Sequence, residues 1–68
     1  MLAERIKEYT KEKGIMQSTM ADAIGISKVA MGETLKGNRK MSAEEYIAIC
    51  DFLEVPYSKF TDQEENTT

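Results

Sequence analysis

The chain has no histidine and no tryptophan, and Cys50 is its only cysteine among 68 residues. Without histidine it lacks the side chain that titrates near neutrality and most often serves as general base or metal ligand. One thiol can neither close an intrachain disulfide nor assemble a zinc site, and its isolation points to a reducing compartment. No glycine-rich stretch matches a phosphate-binding loop. The expectation is therefore a chain that is not an enzyme and carries no metal and no cofactor. No apolar run approaches the length of a membrane span. The N-terminal stretch MLAERIKEY is charged from its fourth residue, unlike a signal peptide. A cytoplasmic location without membrane contact is expected.

What the chain does contain is helical periodicity broken at Gly14, Gly25, Gly37 and Pro56. Leu2, Ile6 and Tyr9 form one apolar stripe, which predicts a first helix over Leu2–Lys13. Met20, Ala21 and Ile24 predict a second over Gln17–Ile24, and Met31 with Leu35 a third over Lys28–Lys36. Gly25-Ile26 is the turn between them. Ser27 is a preferred N-cap, and Gly37 a preferred stop. Ser42 followed three residues later by Glu45 is a capping box that starts a fourth helix, Ala43–Leu53. Its stripe of Tyr46, Ile49, Cys50 and Leu53 makes Cys50 a buried small hydrophobe. Pro56 suits a first helical position, so a short fifth helix over Pro56–Phe60 is expected, with Val55 and Phe60 closing the core. Residues 61–68, TDQEENTT, have no apolar side chain and read as an acidic, disordered tail. The fold class is all-α: one domain over residues 1–60 with four to five helices.

The stretch Gln17–Gly37 resembles the helix-turn-helix of Cro/C1-type, or XRE-family, phage-repressor-like regulators. The matching marks are Gln17, Ala21, Gly25, Ile26-Ser27, Met31 and Lys36-Gly37-Asn38, and the likeness runs on through Ser42 to Phe60. It implies a lambda-repressor-like DNA-binding domain whose third helix enters the major groove. In that family, residues at the positions of Lys28, Val29 and Glu33 reach base edges. Lys28 would donate to guanine, Val29 would touch a thymine methyl, and Glu33 would accept from cytosine N4. The Asn38-Arg39-Lys40 loop clamps the DNA backbone in the family, joined by Lys36 and by Gln17 at the start of the second helix. The implied activity is sequence-specific transcriptional regulation, most simply repression, of a palindromic double-stranded operator.

The net charge of -3 runs against nucleic-acid binding, but its distribution does not. Residues 1–40 hold eight basic and five acidic side chains, whereas residues 41–68 hold one and seven. The helix-turn-helix thus lies in the positive part of the chain. Gly32, Glu33 and Thr34 depart from the family pattern. They keep open a second reading, a protein-interaction module of the same fold, antirepressor-like or antitoxin-like. One short helix reads few base pairs, so a homodimer at least on DNA is expected, with Phe52, Val55 and Tyr57 as the contact surface.

Overall fold

The computed structural model describes residues 2–61; the expected tail lies outside them apart from Thr61. Four helices follow in chain order: α1 Leu2–Lys13, α2 Gln17–Ile24, α3 Lys28–Lys36 and α4 Ala43–Leu53. There is no strand among the described residues. All four helices have the bounds read from periodicity and capping residues.

Each helix stops because the next residue turns left-handed. Gly14, Gly25 and Gly37 do so at φ 73°, 83° and 87°, where a Cβ would cost roughly 1–2 kcal/mol. At Gly25 the turn lets the Gly25 and Ile26 amides return to the Ala21 carbonyl at 2.9 and 3.0 Å. That closure reverses the chain within residues 25–27, and Ser27 accepts the Ala30 amide at 3.0 Å to start α3. Helix α4 ends on a non-glycine residue, Glu54 at φ 59°, with the Val55 amide donating to the Cys50 carbonyl at 3.1 Å.

The core consists of Ile6, Met20, Ala21, Met31, Leu35, Ile49, Cys50 and Phe60. Every helix contributes to it, and α2 packs against both α3 and α4 while α1 lies on α3. Ile24, Leu53 and Val55, expected inside, are partly buried and pack at its edge with Leu2, Tyr9 and Met41. Two buried hydroxyls satisfy themselves within their own helices: Thr10 donates to the Lys7 carbonyl at 3.0 Å and Thr34 to the Ala30 carbonyl at 2.8 Å.

The segment after Pro56 differs from the expected fifth helix. It runs as successive turns, with the Lys59 amide on the Pro56 carbonyl at 2.9 Å and the Thr61 amide on the Ser58 carbonyl at 3.2 Å. So short a segment gains too few hydrogen bonds to offset helix nucleation. Its carbonyls find side chains instead: Tyr46 donates its hydroxyl to Tyr57 and Arg5 donates to Phe60. The Phe60 ring then sits edge-on to Tyr9 at 5.6 Å and to Tyr46 at 6.5 Å. These turns are thereby tied to α1 and α4.

Candidate functional site

Helix α3 is amphipathic in a simple sense. Met31, Thr34 and Leu35 are buried, and Lys28, Val29 and Lys36 stand on the solvent side. Val29 is 75% exposed and adds nothing to the core. Lys28 has no ion-pair partner among the described residues. The exposed start of α3 thus offers one cation and one apolar group side by side.

Gln17, at the first position of α2, is exposed beside this face. A Cβ built on Gly32 would lie 4.0 Å from the Gln17 Oε1, in ordinary contact. The space beside Gly32 therefore admits a methyl group. Gly32→Ala should raise stability by about 0.5–1 kcal/mol, because the helix interior gains propensity and nothing clashes. A denaturation midpoint at or below that of the wild type would refute it.

Glu33 does not stand free on this face. Its Oε1 accepts from Asn38 Nδ2 at 3.2 Å, and its carbonyl accepts the Asn38 and Arg39 amides at 2.9 and 3.2 Å. Lys36 Nζ lies 3.6 Å from Glu33 Oε2, but both side chains are well exposed, at 62% and 41%, so solvent screens the pair. Lys40 is exposed and, among the described residues, unpaired.

Arg39 is engaged within the protein. Its Nη1 donates to Thr34 Oγ1 at 2.9 Å and to Glu45 Oε1 at 3.1 Å, and its Nη2 to Glu45 Oε2 at 2.8 Å. Glu45 also accepts the Ser42 amide at 3.1 Å, and the Ser42 hydroxyl accepts the Glu45 amide at 3.1 Å. The capping box of α4 and the fork of Arg39 therefore share one carboxylate. Arg39, and after it the Ser42 amide, holds the Glu45 carboxyl below its ordinary range. A depressed folded value means the pair contributes stability above the ordinary glutamate range and loses it as pH falls through the depressed value. The thermal midpoint of wild type relative to Glu45→Gln should accordingly be highest near neutrality and converge in acid. A difference that does not change with pH would remove the ion pair as its source.

The residues offered for self-association lie elsewhere. Phe52 and Val55 pack on the core edge. Tyr57 is 52% exposed and donates its hydroxyl to Asp51 Oδ1 at 2.9 Å. Ile47, one turn before Asp51 on α4, is 42% exposed. The contributions of Thr34 and Glu45 to the loop went unseen in the sequence, where Thr34 read as an oddity and Glu45 as a cap. Opposite charges six residues apart across a loop leave no periodic trace.

Among the described residues no helix is long and apolar enough to cross a membrane, and no three His, Cys, Asp or Glu side chains come together as a metal site would require. A family model described as a Cro/C1-type HTH DNA-binding domain matches residues 5–58. No curated protein and no solved structure matches the chain.

Proposed function

The chain belongs to the Cro/C1-type helix-turn-helix DNA-binding domain family, and from that premise we propose a sequence-specific transcriptional repressor acting in the cytoplasm. Fold and family support a DNA-binding regulatory role in general. The finer reading rests on one observation: Lys28 and the 75%-exposed Val29 stand together at the start of a helix whose other face is anchored in the core. Helix α3 enters the major groove by that end. Lys28 donates to guanine O6 or N7 and Val29 meets a thymine methyl. Glu33, bonded to Asn38, sits farther along the helix and reads a cytosine amino group only where the duplex comes close. Gln17, Lys36, Asn38 and Lys40 hold the backbone on either side, the last two in the loop that Arg39 closes.

A single α3 makes two or three base contacts, each discriminating by about 1–3 kcal/mol, too little to select one site in a genome. A two-fold dimer on a palindrome doubles that number, with half-sites about 34 Å apart. Tyr57 with the edges of Phe52 and Val55 supplies the contact surface. Repression follows from occupancy, by excluding polymerase or another regulator from the same duplex.

The test is selection from random duplexes at low and high salt, followed by the mass of the saturated complex. An enriched palindrome carrying two chains is the expected result. A saturated specific complex with one chain would end the dimer. A folded protein that binds no duplex even at low salt would leave the interaction-module reading in its place.

A further inference from the structure

The basic loop 38–40 follows α3 and carries three polar side chains of the types that bind phosphate. The geometry separates them. We infer that Arg39 is a positioning residue and not a phosphate ligand: its fork on Glu45 and Thr34 fixes the loop so that the unpaired Lys40, and the amide hydrogen of Asn38 that Glu33 does not take, are presented to the duplex backbone. This rests on the DNA-binding reading above.

A guanidinium has five N–H donors, and three of Arg39's are directed at Thr34 and Glu45 within 2.8–3.1 Å. The bidentate arrangement is the strong form of carboxylate pairing. With Glu45 at 2.8 Å, the two charges cancel at the distance of a phosphate, so the pair attracts DNA weakly. To bind a phosphate, Arg39 would have to leave a carboxylate unpaired beside a polyanion. The same fork spans from α3, through Thr34, to the first turn of α4, through Glu45. It therefore sets where the intervening residues lie relative to the recognition helix. The Asn38 and Arg39 amides, both on the Glu33 carbonyl, complete the closure from the other side.

The two roles predict opposite signs for one substitution. Glu45→Gln keeps the capping function, because a glutamine carbonyl still accepts the Ser42 amide, but it removes the charge that holds Arg39. If Arg39 were a phosphate ligand, Glu45→Gln would release it and remove a repelling charge, and binding would tighten. If Arg39 positions the loop, binding weakens. Affinity for the selected duplex is measured at fixed salt, well below the thermal midpoint, with helix content checked by circular dichroism. Arg39→Ala should weaken binding about tenfold and Glu45→Gln several-fold, and the double variant should be no weaker than Arg39→Ala alone, as expected for two residues acting as one unit. Thr34→Val, which keeps the buried volume and loses only the hydroxyl, should weaken binding in the same direction and serves where Arg39→Ala does not fold. Tighter binding by Glu45→Gln, or losses that add in the double variant, would overturn the positioning role. Failure of the DNA-binding reading would show separately, in a folded wild-type chain that binds no duplex.

Discussion

Replacing Phe60 by alanine should cost about 3–5 kcal/mol, the range for removing a buried aromatic ring. Phe60 is 3% exposed although it lies in a run of turns near the end of the described chain. Its ring fills the space between α1 and α4 and meets Tyr9 and Tyr46 edge-on, contacts that add to simple burial. Its carbonyl accepts from Arg5, fifty-five residues earlier. Loss of the ring thus removes core volume and loosens the run of turns that Arg5 ties to the first helix. At roughly 0.05–0.15 kcal/mol per residue, a domain this small has about 3–10 kcal/mol in total, so the variant should lose about a third or more of it. Phe60→Leu, which keeps much of the volume, should lose no more than about 1.5 kcal/mol. Urea titration of the three proteins decides the matter; an alanine variant within about 1 kcal/mol of wild type would mean the segment is not part of the core.

Lys28→Ala should abolish the preference at the base pair that Lys28 reads, in each half-site, while sparing preference at the other positions and non-specific binding. One good bidentate base contact discriminates by about 1–3 kcal/mol, roughly five- to 150-fold for a variant changed in one half-site, and a two-fold dimer makes it twice, roughly 2–6 kcal/mol or about thirtyfold to twenty-thousandfold when both half-sites are changed. The effect is separable from folding because of where Lys28 lies. It is the first residue of α3, where the positive end of the helix dipole disfavours a cation. Its removal should leave stability unchanged or slightly raised. A lysine tolerated at an unfavourable helix end, exposed and unpaired among the described residues, suits a group whose partner is outside the chain. Competition binding against a set of single-base operator variants reads the result. A uniform loss across all sequences would reassign Lys28 to the phosphate backbone.

Helix positions were readable because the signals are local: Gly25 and Gly37 after the apolar repeats, Ser27 and Ser42 before them. The exposed stretch around Lys28 and Val29 was readable for the same reason, since a helix of known phase divides its residues between core and water. The fifth helix was not, because Pro56 marks a permitted start without supplying the length to sustain it. The engagement of Arg39 was also hidden. Its partners Thr34 and Glu45 belong to two different helices, and only the path of the loop brings them within hydrogen-bonding distance. The family resemblance implies Arg39 at the phosphate backbone; the structure adds that it holds an internal carboxylate.

The three-residue connection between α2 and α3 also bears on the order in which the molecule assembles. Residues 25–27 close so small a loop that the two helices can meet early, at little entropic expense, once Ala21 and Met31 come together. The tie from Arg5 to Phe60 closes nearly the whole chain and gains nothing until the helices it bridges are in place. Folding should therefore be fast, as for other chains ruled by local contacts, with the helix-turn-helix structured in the transition state and the final turns added after it. The part of the chain that presents α3 would then be the last to come apart.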